Sequence, residues 1–191
     1  LTLFMAAGTP TVRRTEPAAT GSANIQMPDP TEELRENIML SCRILAMEGM
    51  VDRITGHVSA RIPGTDEMWI RCRSPEEEGL RYTTIDAIRR VNFDGKGPDT
   101  GEEYQVPYEL AIHGEIYKNR PAVDCVIHAH PTEALICGIT ELEFRPIFGA
   151  FNIPAMQMAL DGIPVFPRSY LVTRPDLATP MIEIMGRNQS A

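Results

Sequence analysis

Three of the chain's four histidines stand with a glutamate in one stretch, Pro107 to His130, which reads PYELAIHGEIYKNRPAVDCVIHAH. Within it the run AVDCVIHA, residues 122–129, has the apolar, β-branched make-up of a buried strand. Strand side chains alternate between faces, so His128 and His130 point one way and Cys125, Ile127 and Ala129 the other. Two imidazoles on one face at this spacing suit a single divalent metal ion; the bland reading is a pair of polar residues at a strand end. Cys125 falls on the opposite face and belongs to the core rather than to a zinc site. Upstream, Pro107 suits the first turn of a helix, where its missing N–H costs nothing. Glu109 and His113 are four apart and share a face of that helix. A helix that runs through Lys118–Pro121 into the strand packs against it and brings Glu109 toward the imidazoles. A metal with a carboxylate beside it supplies a Lewis acid and a proton carrier. Without the His-x-His pair, Glu109 and His113 read as a solvated pair on an exposed helix.

Alternating helix and strand signals surround this stretch. Thr31 is a candidate N-cap, followed by Glu32 and Glu33 at the positive end of a helix. Leu34, Ile38, Cys42 and Leu45 form its apolar stripe, and Gly49 is its stop. Gly56–Arg61 reads as a turn entering a strand, and Met68–Arg73 as a second strand followed by a loop, Ser74–Leu80. Thr84–Ile88 reads as a helical turn and Val91–Phe93 as a strand ending at the Asp94-Gly95 turn, with a loop over 95–103. A helix is expected from Pro131 to about Gly138, strands over 144–148 and 163–166, and a helix over Pro175–Met185. This alternation predicts α/β layering. Residues 1–29 are rich in Ala, Thr, Pro and Gly without a period and read as a disordered tail, with the folded domain over 30–191.

The chain is of single-domain length, 191 residues, and its 43% apolar content suffices for a sizeable core. A net charge of −8 argues against nucleic acid and anionic membranes as partners. No apolar run approaches a transmembrane span. Four scattered cysteines, Cys42, Cys72, Cys125 and Cys137, suit reduced thiols in the cytoplasm.

The ordered pattern Glu109, His113, Tyr117, Arg120, Pro121, Val123, Val126, His128, His130 resembles the class II aldolase/adducin family. The likeness covers roughly residues 31–187 and implies a three-layer α/β/α fold with a central mixed β-sheet. It also implies a divalent cofactor, Zn2+ first and Mn2+ or another ion next, on His128, His130 and Glu109. Glu109 becomes the catalytic acid and His113 a neighbour that orients it or touches substrate. The segment from Gly56 to Arg61 resembles the family's G-N-x-S-x-R, with His57 in place of Asn; His57 and Ser59 are then substrate-binding candidates, His57 being otherwise a loop histidine. Arg71, Arg73 and Arg81 are candidate carboxylate clamps or plain surface charges.

Two departures from the family matter. Its metal site is completed by a third histidine well downstream, and this chain has none after His130. The expectation is that the C-terminal part is missing, the alternative being a site made of two histidines with Glu109 or water. Sugar-phosphate members carry a serine pair just before the glutamate; here Pro107 and Tyr108 stand there. The expected function is therefore a metal-dependent carbon–carbon lyase acting on a small non-phosphorylated carboxylate, a decarboxylase of a hydroxylated aromatic or ring-cleaved acid, with Arg73 and Tyr108 contacting substrate. Retro-aldol cleavage or epimerisation of a sugar or sugar phosphate is the alternative, and a metal-free adducin-like binding module the alternative of another class. The family implies a homotetramer.

Overall fold

The computed structural model describes residues 3–7, 30–76, 78–98, 100, 103–149 and 152–187. Its elements in order are β1 (Leu3–Ala7), α1 (Pro30–Met47), β2 (His57–Arg61), β3 (Glu67–Arg71), β4 (Ile88–Asn92), α2 (Leu110–Asn119), β5 (Cys125–Ala129), α3 (Thr132–Thr140), α4 (Ile153–Ala159) and α5 (Pro175–Met185). Two 3-10 turns, Leu80–Tyr82 and Ile85–Ala87, lead into β4. The strands form one sheet in the order β1-β5-β2-β3-β4. Every pairing among the described residues is antiparallel, where a mixed sheet is expected from the resemblance.

Alternation along the strands divides the core in two. Val58, Ala60, Trp69, Ile88, Cys125, Ile127 and Ala129 pack on the face covered by Ile38 and Cys42 of α1. Met68, Ile70, Val91 and Val126 pack on the other face, against Ile112, Ile116 and Tyr117 of α2 and Ala178, Met181 and Met185 of α5. The result is the expected three layers, helix on each side of the sheet. Cys125 lies with the α1 face, as alternation requires. Cys42 and Cys72 are fully buried, Cys125 and Cys137 half-buried, and all four are free thiols. Burial pushes the thiols of Cys42 and Cys72 up to about 12 and that of Cys125 to about 11.

Two arginines tie the layers together. Arg35 donates from α1 to the carbonyls of Ile85 and Ile88 at 3.1 Å each and sits over Trp69. Arg61 donates to the carbonyls of Tyr117 at 2.6 Å and Val123 at 3.1 Å, with its guanidinium against the rings of Phe93 and Tyr117. That side chain clamps β2 to the end of α2 and to the turn leading into β5.

Several local expectations change in three dimensions. The fourth strand is Ile88–Asn92 rather than Val91–Phe93. Residues 144–148 and 163–166 are not strands. Pro146 and Pro164 each remove a ladder donor, and Ile147 and Phe148 are 65% and 70% exposed, so no neighbour is there to pair with. Helix α4 was not anticipated; the Asn152 side chain caps it by accepting from the Ala155 N–H at 3.0 Å. Within the tail expected over 1–29, Leu3–Ala7 is a strand paired with β5, since a short apolar run finds an edge to join; residues 8–29 lie outside the described residues.

Candidate active site

The site forms where β2, β5 and the start of α2 meet. His57 opens β2 and lies directly opposite His128 in the register of β2 and β5. Gly56 precedes it at φ +81°, and a Cβ there would meet Val51 at 2.6 Å and the His128 carbonyl at 2.8 Å. Only glycine lets the chain turn so tightly beside β5. On the helix side, Gly114 lies so close to β4's end that a Cβ would meet the Phe93 carbonyl at 2.0 Å. That close approach seats His113 and Tyr117 of α2 against β2.

Glu109 does not lie within α2, as a helix opened by Pro107 predicts. It is the residue just before the helix, with φ −92° and ψ 27°. Its carboxylate is thereby turned toward β5, and Oε2 is 3.5 Å from His128 Nδ1. His57, Glu109 and His128 each bring one potential ligand atom to within 4.8 Å of the others. His130 joins them through His128, with the two Nε2 atoms 2.8 Å apart. The chain's four histidines are thus all in one cluster. His113 and His128 are fully buried and His57 nearly so, while His130 is exposed.

Behind the cluster runs a continuous buried chain of hydrogen bonds. His57 Nδ1 is 2.6 Å from His113 Nε2, His113 Nδ1 is 2.6 Å from Ser59 Oγ, and Ser59 Oγ is 2.7 Å from the Tyr117 hydroxyl. Both ring nitrogens of His113 are therefore taken, by His57 and Ser59 and not by Glu109, and the ring is fully buried. Ser59 is fully buried too. Tyr117 was not among the residues singled out for chemistry. The signal was present, because Tyr117 continues the i, i+4 stripe of Glu109 and His113.

Electrostatics follow from burial. Desolvation lowers the imidazole of His57 well below its ordinary range, with His113 and His128 adding repulsion. It brings His113 down to about 3 and, with help from His130 and His113, His128 down to about 2. Burial lowers His130 as well. Neutral imidazoles are the form that ligates metal. Glu109 is shifted the other way: burial raises it, opposed by a hydrogen bond from the Val172 backbone and by the Arg73 charge. Val172 lies ahead of α5, and sequence alone offers no sign that its N–H reaches Glu109.

Next to Glu109 in sequence is Tyr108, 63% exposed, and the Arg73 guanidinium lies 4.9 Å from the centre of its ring. A backbone bridge between Arg73 and Gln105 holds the two segments together. Of the other arginine candidates, Arg71 is 3% exposed and its charge acts on His57, while Arg81 faces solvent. The donor set near His128, imidazole nitrogens and one carboxylate, is compatible with a divalent metal ion.

A sheet between helical layers, with a His/Glu cluster at the end of its central strands, defines an α/β domain of aldolase type. Residues 36–191 match the Class II Aldolase and Adducin N-terminal domain, and the chain belongs to that family. Among curated relatives it is 43% identical over 155 residues to the 3,4-dihydroxyphthalate decarboxylase of Arthrobacter keyseri, covering 80% of this chain and 62% of that one. It is 38% identical to the enzyme of the same name from Terrabacter sp. (strain DBF63), over 80% of this chain and 64% of that one. For that of Rhodococcus jostii (strain RHA1) the identity is 37%, over 81% of this chain and 65% of that one. The chain thus spans a little under two thirds of the length of these relatives. Among solved structures, an aldolase II superfamily protein from Pseudomonas syringae shares the fold with a TM-score of 0.68 at 20% identity, covering 84% of this chain and 62% of that one. An L-fuculose 1-phosphate aldolase from Glaciozyma antarctica PI12 does so with a TM-score of 0.61 at 20% identity, over 82% of this chain and 58% of that one.

Proposed function

We propose that the protein is a divalent-metal-dependent carbon–carbon lyase that decarboxylates a non-phosphorylated, hydroxylated aromatic acid. The observation that supports this reading is Arg73 lying over the Tyr108 ring with its charge acting on Glu109. A guanidinium holds a carboxylate bidentately and an exposed phenol ring offers a flat wall to an aromatic substrate. A phosphate dianion would need several donors, and Pro107 supplies none. The substrate in the relatives' name, 3,4-dihydroxyphthalate, has the matching chemistry, a ring with adjacent hydroxyls and carboxylates.

His128, His130 and Glu109 would hold the metal, with His57 alongside. When bound, the ion supplies a grip on adjacent substrate oxygens and stabilises the negative charge left as CO2 departs. Arg73 fixes the carboxylate and Tyr108 the ring plane. The bond between ring carbon and carboxyl carbon breaks, its electron pair stays with the ring carbon, and Glu109 delivers a proton there. Burial raises the Glu109 carboxyl, which favours the protonated form that this step needs once the carboxyl is released from the ion. No helix among the described residues is long and apolar enough to cross a membrane. We place the protein in the cytoplasm as a homotetramer working in aromatic catabolism.

The test is a panel run with added Zn2+ or Mn2+: 3,4-dihydroxyphthalate and related hydroxylated aromatic acids beside fuculose 1-phosphate and ribulose 5-phosphate. Release of CO2 with one carboxyl fewer on the aromatic product is expected. A higher kcat/KM on any sugar phosphate than on every carboxylate would restore the retro-aldol reading. Failure to bind metal together with no turnover would point to an adducin-like binding module.

A further inference from the structure

The buried chain Tyr117–Ser59–His113–His57 has a direction, and the direction decides what His57 offers to the site. Tyr117 is 1% exposed, and among the described residues the side-chain partner of its hydroxyl is Ser59 Oγ at 2.7 Å. The nearby backbone group on Tyr117, the N–H of Val126, is itself a donor. A phenol this buried must place its own hydrogen on an acceptor, and Ser59 Oγ is the one within reach. Ser59 then has one hydrogen of its own to give and gives it to His113 Nδ1, 2.6 Å away. A neutral imidazole that accepts at Nδ1 carries its hydrogen on Nε2. His113 Nε2–H therefore donates to His57 Nδ1 at 2.6 Å. His57 in turn accepts at Nδ1 and carries its hydrogen on Nε2. The reverse direction would leave the Tyr117 O–H buried with nothing to receive it.

We infer that His57 is held by this relay as an Nε2–H hydrogen-bond donor to a substrate oxygen, and is not a ligand of the metal. It rests on the reading of the cluster as the reacting site, but the tautomer can be measured without substrate. The position fits the role: His57 lies opposite His128 in the sheet and within 4.8 Å of Glu109 and His128 at their potential ligand atoms. A ring nitrogen that bears a hydrogen has no lone pair for a metal, so the ion is left to His128, His130 and Glu109. The donor would instead hold a carboxylate or ring oxygen of the substrate. Tyr117, Ser59 and His113 are positioning residues, acting only through His57.

Long-range 1H–15N correlation spectra of 15N-histidine-labelled protein read each ring's tautomer directly, first with a chelator and then with one equivalent of Zn2+. We expect His57 and His113 as Nε2–H tautomers in both states, with zinc-induced shifts on His128 and His130. Zinc titration of His57→Phe is the second measurement, since Phe keeps the ring and removes the donor. Affinity within about threefold of wild type is expected, because no ligand is lost. If His57 were a ligand, binding should weaken by at least the roughly 10–100-fold that even outer-shell partners of a metal site cost. Turnover of a hydroxylated aromatic acid should fall roughly 10–100-fold in His57→Phe, the range for one hydrogen bond to a charged group. A His57 Nδ1–H tautomer, or loss of its Nε2 hydrogen on zinc addition, would overturn the inference. So would loss of zinc affinity in a folded His57→Phe. If instead the tautomer and zinc results hold and no carboxylate is turned over, the proposed reaction fails while the assignment of His57 stands.

Discussion

Burial raises the carboxyl of Glu109, the proposed proton carrier, and the Arg73 charge opposes it. Glu109→Gln should reduce kcat by about 10²–10⁴-fold, the usual contribution of a general acid or base; a loss under tenfold would remove it as the proton carrier. Arg73→Gln withdraws the charge that holds the carboxyl down. The pH limb assigned to Glu109 should then move upward from its wild-type position, and an unmoved limb would mean that Arg73 does not act on it. The histidines make a separate prediction about stability. His57, His113 and His128 have folded-state pKa values depressed below the ordinary value of 6.5. Below about 6.5 the unfolded chain takes up protons that the folded chain refuses, so stability is full above that pH and is lost as pH falls. Each such group costs up to about 1.4 kcal/mol per pH unit. Urea midpoints measured with a chelator present should therefore fall steeply between pH 7 and pH 5. A flat profile would mean that the rings are charged or hydrated in the folded state.

The elements show what was legible and what was not. Strand alternation correctly sorted His128 from Cys125, and the α1 stripe of Ile38 and Cys42 was readable because its period is local. The segments 144–148 and 163–166 were misread as strands because strand membership depends on a partner, which a short apolar run does not reveal. The pairing of His57 with Glu109 and His128 depends on β2 lying beside β5, a contact between segments far apart in the sequence, and so is out of reach of spacing alone. The Tyr117 relay is the intermediate case: its helical half was visible as a stripe, its Ser59 half was not. Close packing of α2 carries its own prediction. Gly114→Ala pushes a methyl into the Phe93 carbonyl and must displace the helix. The overpacking should cost about 1–3 kcal/mol in urea unfolding and loosen the His113–His57 contact. An unchanged midpoint would mean that α2 shifts freely.

At the scale of the whole molecule, folding and metal binding should be coupled, since the donors come from β5 and the start of α2. A metal present at 100 times its Kd adds about 2.7 kcal/mol to folded stability. Zn2+ should raise the unfolding temperature and a chelator should reverse it, while no shift in either direction would exclude a metal site in the folded chain. The alternation of helix and strand signals made α/β layering legible, the resemblance implied its three-layer form, and family membership agrees with both. The thiols follow from the same layering. Cys42 and Cys125 lie on one side of the sheet and Cys72 on the other, and all three have raised pKa values. Attack on an alkylating reagent needs the thiolate and an open path, and the native packing denies both. These cysteines thus form a built-in clock: maleimide labelling at Cys42 and Cys72 reports how often each half of the core opens, residue by residue, without any new cysteine being introduced.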